Sequence, residues 1–200
     1  MNLRHRLDLA LQALERSPDA RLDECRIGAP LEQDEIDVIE ALTGAPPPPQ
    51  LVDLLGPMNG VELRWSAGDE ASGGASGSLN IVPLRSMVLG WSAPPGLEPL
   101  EGVLWSDWQP SDVLARLKRM RVFEPVAGEP KSIAFEPAQP EHLYLVHGES
   151  IDRIRPELSD AAGLLIDQLG AAGLREALIL DNWQTAVSSL PSVRLLDTGR

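Results

Sequence analysis

Between Gly28 and Trp65 the chain reads GAPLEQDEIDVIEALTGAPPPPQLVDLLGPMNGVELRW, and its order of helix formers, breakers and turn residues leaves little choice of local structure. Glu32 to Leu42 has helical periodicity. At 100° per residue, Ile36, Ile39 and Leu42 fall within one arc of about 120°, with Asp34, Asp37 and Glu40 in another, turned away from it. Acids in the first turn complement the helix dipole. Gly44 is placed to supply the left-handed residue that ends such a helix. Pro46 to Pro49 cannot lie inside a helix but can launch one, so a second, short helix is expected over Leu51 to Leu55. Asn59-Gly60 suits a tight turn of two residues with positive φ, opening a strand from Val61 to Trp65.

The remainder supports an α+β reading: a mainly antiparallel sheet flanked by helices. Leu3, Leu7, Leu11 and Leu14 recur at helical spacing over Asn2 to Arg16, and Ser17-Pro18-Asp19 stops that helix. Residues 1–26 are therefore expected to form an N-terminal helical extension, 27–190 the main domain, and 191–200 a loose tail. Ser66 to Ser78 (SAGDEASGGASGS) has almost nothing to bury and reads as a flexible Gly/Ser loop. Leu79 to Val82 is a strand, Pro83 begins a helical turn, and Ser92 to Pro110 is irregular. Ser111 can cap a helix over Asp112 to Met120. Arg116, Lys118, Arg119 and Arg121 then gather at its C-terminal end, where the dipole favours cations. Strands are expected over Ser132 to Glu136, His142 to Val146 and Ile151 to Ile154, with turns at Pro137 to Pro140 and Gly148-Glu149. A closing helix follows Ser159, anchored by Leu164, Leu165 and Leu169 and broken by Gly170 and Gly173. A last helix carries Leu174, Leu178 and Trp183.

Pro30-Leu31 before the first acidic helix, the Leu-Thr-Gly stop at Leu42 to Gly44, the proline ramp and the Asn59-Gly60 strand opening together resemble the start of the SUKH superfamily. These are the Smi/Knr-type domains of bacterial toxin-immunity proteins and yeast cell-wall regulators. The resemblance runs from Gly28 to about Leu84, with a general match in element order from Ser132 to Trp183. It implies a single SUKH-like domain that binds another protein, performs no catalysis and needs no cofactor. For a bacterial member it implies a cytoplasmic immunity protein that occludes the active site of a cognate toxin. The alternative it leaves open is a scaffold or regulatory module of the same fold that binds a housekeeping partner.

Charge either maintains solubility alone or narrows the partner. The chain carries a net −13, and successive fifty-residue quarters hold −5, −3, −3 and −2, so the acidity is spread rather than confined to a tail. Nucleic acid and anionic membranes need Lys and Arg to replace their counterions. A basic protein, such as a nuclease toxin, is instead attracted and met faster. No apolar run approaches the roughly 18 residues of a membrane span, the first residues lack the pattern of an export signal, and a single cysteine fits a reducing compartment.

Catalytic chemistry finds no foothold in the motifs. His5, His142 and His147 form no metal-binding spacing, and there is no Cys pair, no Gly-x-Ser-x-Gly elbow and no phosphate-cradling loop. Cys25 reads as a small buried apolar residue. No catalytic, metal-binding or cofactor-binding residue is nominated. Trp65 and Trp183 are expected in the core. Trp105 and Trp108, three apart in a Pro- and Gly-bounded stretch, either plug the core of a chain with only two Phe and one Tyr or serve an interface, where a rigid indole buries much area at small entropic cost. The partner-binding candidates are therefore Asp34, Asp37, Glu40, Trp105 and Trp108.

Overall fold

The computed structural model describes residues 2–68, 74–89, 111–126 and 128–190. In chain order the elements are α1 (Leu3–Arg16), β1 (Ala20–Ile27), α2 (Gln33–Thr43), α3 (Pro49–Leu55), β2 (Val61–Ala67), β3 (Ala75–Ile81), α4 (Leu84–Leu89) and α5 (Ser111–Leu117). These are followed by β4 (Arg121–Pro125), β5 (Lys131–Glu136), β6 (Gln139–His147), β7 (Ser150–Arg153), α6 (Leu158–Asp167), α7 (Leu174–Leu178) and α8 (Trp183–Ser188). The architecture is α+β. Its strands form two antiparallel sheets, β1-β2-β3 and β4-β5-β6-β7. They meet where β3 runs out toward β4, as the Val82 N–H donates to the Phe123 carbonyl at 3.1 Å.

One hydrophobic cluster runs through the molecule. It takes Leu3, Leu7 and Leu14 from α1, Ile39 from α2 and Leu51 and Leu55 from α3. The sheets supply Leu63, Trp65, Phe123 and Phe135, and the closing helices Leu165 and Val187. On its other face the four-stranded sheet packs Val122, Ala134 and Val146 against Leu117 and Met120 of α5 and its following turn. Covered on both faces, β5 is buried without alternation from Ser132 to Phe135, the pattern of a central strand rather than a half-exposed one.

Most helices and the β2–β3 pairing follow the sequence expectations, but the single last helix expected to carry Leu174, Leu178 and Trp183 is two, α7 ending at Leu178 and α8 starting at Trp183. The expected helical extension over 1–26 is helical only over Leu3–Arg16. Ala20–Ile27 is an edge strand paired to β2, from Ala20 opposite Ala67 to Ile27 opposite Val61. Its residues, ARLDECRI, are mostly exposed, and charges of this kind disguise an edge strand while protecting it from aggregation. Through its five buried residues, α1 belongs to the central core rather than extending from it. Cys25 lies on this edge and is exposed, not buried as its apolar character suggested. Arg121 does not end a helix. It opens β4, which pairs Arg121 with Phe135.

The Gly/Ser stretch is not a loop from Ser66 to Ser78: β2 reaches Ala67 and β3 starts at Ala75, leaving 69–73 outside the described residues. Small residues here serve packing. Trp65 pairs with Gly77, and its indole N–H crosses the strand to the Leu169 carbonyl at 2.9 Å. A Cβ on residue 77 would overlap that indole nitrogen and stand 2.7 Å from the same carbonyl. Trp65 is only 2% exposed, as expected, and Trp183 packs partly buried against the core. In the Asn59-Gly60 turn only Gly60 has a positive φ, 96°.

Candidate functional site

The sequence places its acidic candidates on α2, and among the described residues that helix is held by one face. Asp34 and Glu35 lie in its first turn, where the dipole favours them. Its C-terminus closes on Gly44 at φ 74°, whose N–H donates to the Glu40 carbonyl, and Thr43 Oγ1 donates to the Ile39 carbonyl at 2.9 Å. Ile39 is fully buried. Asn59 makes the polar attachment: its Nδ2 donates to Glu35 Oε1 at 2.8 Å, and its Oδ1 accepts from the Leu84 N–H at 2.7 Å. One amide thus ties α2 to the start of α4, so Asn59 is spent inside the fold rather than presented to a partner.

Asp34, Asp37 and Glu40 are all exposed, as the helical wheel requires. Asp37 accepts from Gln33 Nε2 at 2.8 Å. Among the described residues no basic side chain forms a salt bridge with any of the three. The contrast with the outer side of the small sheet is sharp. There Glu24 is bonded by Arg64 and Arg26, Glu62 by Arg26, and Asp23 by Arg21. Glu24 lies opposite Arg64 and Glu62 opposite Arg26 in the β1–β2 register, the cross-strand arrangement that neutralises charge in place.

Leu42 departs from expectation. It stands at the margin of the apolar arc and is 49% exposed. Val38, one turn earlier, is 44% exposed. The two sit at i and i+4 on one side of the helix, so the open face of α2 combines an apolar ridge with three carboxylates lacking salt-bridge partners. On the wheel Leu42 lies farther than Ile36 from the exposed acids, so helical phase alone predicts burial there, and its exposure was not legible from phase. Val38 falls on the wheel between Asp34 and Leu42, at the edge of the acidic stripe. Trp105 and Trp108 lie outside the described residues.

Sequence reading missed a second feature, deep in the fold. Glu124 of β4 is fully buried and Arg175 of α7 is 5% exposed. Arg175 Nε donates to Glu124 Oε2 at 3.0 Å, its Nη2 donates to Glu124 Oε1 and, at 2.6 Å, to the Ser78 carbonyl, and its Nη1 reaches the Gly170 carbonyl at 3.3 Å. Burial opposes the guanidinium charge, yet the Glu124 carboxylate outweighs it and holds the Arg175 pKa above its ordinary value. The pair bolts β3, β4 and the α6–α7 corner together. With four of its five N–H donors engaged by the Glu124 carboxylate and by the Ser78 and Gly170 carbonyls, Arg175 makes the pair a fastener of the fold.

Among the described residues no three His, Cys, Asp or Glu side chains converge to hold a metal ion, and no helix is long and apolar enough to cross a membrane. No protein-family model matches the sequence, and comparison with curated proteins returns no match.

Proposed function

We propose that this chain is a non-enzymatic binding protein of the SUKH type: a cytoplasmic immunity protein that neutralises a basic toxin domain, such as a nuclease, by occluding its active site. The observation that carries the reading is the open face of α2. Among the described residues Asp34, Asp37 and Glu40 have no salt-bridge partner and stand beside an exposed apolar ridge, whereas the acids of the β1–β2 ladder are neutralised where they stand. Carboxylates would take the place of the toxin's phosphate substrate and steer the encounter. Val38 and Leu42 would provide the desolvated contact that slows departure.

The test is binding to the product of the adjacent gene. Association is expected to slow as salt rises, because steering is screened over about 8 Å at physiological ionic strength. Reversing Asp34, Asp37 and Glu40 together to Lys should lower the association rate, and Val38→Ala with Leu42→Ala should raise the dissociation rate. An adjacent-gene product that does not bind removes the immunity reading and favours the scaffold. Association indifferent to both salt and the triple reversal removes α2 from the mechanism.

A further inference from the structure

A cleft of about 490 Å³ opens between the N-terminus of α1, α3, β6 and the N-terminus of α6, within the roughly 300–1,000 Å³ of ligand pockets. Its floor is apolar, formed by Leu3, Leu54 and Leu158, each less than a tenth exposed. Its rim bears Asp53, Glu141, Glu157 and Asp160.

Among the described residues that line the cleft the one cation is Arg6, and it is committed elsewhere. Its Nε donates to Asp167 Oδ1 at 2.9 Å and its Nη2 to Oδ2 at 2.6 Å. The guanidinium lies against the backbone of α6 at Gly163, where a Cβ would come within 2.5 Å of Cζ. Glycine at that helix position therefore lets Arg6 lie flat and turn toward Asp167. Asp160 is near enough to feel the Arg6 charge. Asp53, Glu141 and Glu157 have no salt-bridge partner among the described residues.

An apolar floor beneath a carboxylate rim matches one kind of side chain: an aliphatic stem that can lie on leucines while its charged head reaches outward. We infer that this cleft docks an arginine side chain of a protein partner. Arginine is preferred over lysine because its planar fork can bond two carboxylates at once. The inference rests on the reading above, that the partner is a basic protein, and gives that partner a second point of attachment away from α2.

The experiment is titration of the full-length, ¹⁵N-labelled chain with Nα-acetyl-arginine methylamide, followed by amide NMR shifts. The matched controls are the norleucine analogue, which has the stem without the charge, and guanidinium chloride, which has the charge without the stem. Saturable shifts are expected at Leu54, Glu141, Leu158 and Ser159 with the arginine probe alone. Glu141→Gln with Glu157→Gln should weaken binding by about tenfold, as for the loss of two exposed ion pairs. Asp53→Asn offers an independent reduction should that double variant fail to fold.

Absence of saturation, equal response to norleucine, or binding that survives neutralisation of the rim would overturn the inference. Loss of the arginine site, with adjacent-gene binding still dependent on α2, would sink the cleft and leave the immunity reading standing. The reverse outcome would keep the cleft and sink the reading of α2.

Discussion

Glu124 and the acids of α2 are the same chemistry used in opposite ways. Glu124 is fully buried and saturated by Arg175 and, at 3.4 Å, the Asn80 N–H. Asp34, Asp37 and Glu40 are exposed and have no cation paired with them among the described residues. A buried carboxylate must have its partner because desolvation otherwise makes the charge untenable. An exposed one needs none, since water screens it. The difference separates acids that the fold depends on from acids it can lose, and only the second kind is free for a partner. The net charge of −13 is therefore a poor guide until each acid is assigned to one group or the other.

The comparison is broken most directly at Glu124. Glu124→Gln leaves Arg175 buried and uncompensated, and should cost about 3–5 kcal/mol in urea unfolding. A loss below about 1 kcal/mol would mean water reaches the site and Glu124 belongs with the exposed acids. The double change Glu124→Met with Arg175→Leu should recover most of that loss, because a buried pair contributes far less than either half costs when orphaned.

Within α2 itself, the buried and open faces can be set against each other. Ile39→Ala should cost about 2–5 kcal/mol, as for a buried aliphatic. Leu42→Ala, with half its surface already in water, should cost about 0.5 kcal/mol or less. Equal losses would show that something covers Leu42 in solution and would withdraw the apolar ridge from the interface.

Much of this was legible in the sequence because it depends on local rules. The α2 stop at Gly44, the α3 launch from the prolines, the β2 start at Val61 and the hairpin turn at Gly148-Glu149 all follow from backbone preferences that neighbours do not override. What was illegible depends on distant partners. β1 looks like a charged linker until Arg64 and Glu62 stand opposite Glu24 and Arg26. Gly77 looks like loop filler until the Trp65 indole needs its missing side chain to reach Leu169. Glu124 and Arg175 are fifty-one residues apart, and nothing nearby in sequence marks either as buried. The acidic candidates on α2 were found because helical phase alone exposes them. The carboxylates of the cleft were not, because they come from α3, β6 and α6 and meet only in the folded chain.

The smallest expected effect is also the sharpest test of the comparison. Reversing Asp34, Asp37 and Glu40 together to Lys raises the net charge by two per site, from −13 to −7, yet should leave unfolding free energy almost unchanged. Asp34 lies in the first turn of α2, so a lysine there forfeits a favourable dipole interaction of about 0.3–1 kcal/mol. Position 40 lies in the last turn before Gly44, where a lysine gains a contribution of the same order. Asp37 gives up its bond from Gln33 on an exposed surface, where such a contact contributes about 0.5 kcal/mol or less. These terms nearly cancel, and lower overall charge also reduces self-repulsion. The measurement is urea unfolding of the two proteins at low and high salt. A destabilisation above about 1 kcal/mol would mean the α2 acids support the fold through contacts of their own. They would then join Glu124 as structural charges, and the open face would lose its claim to a partner.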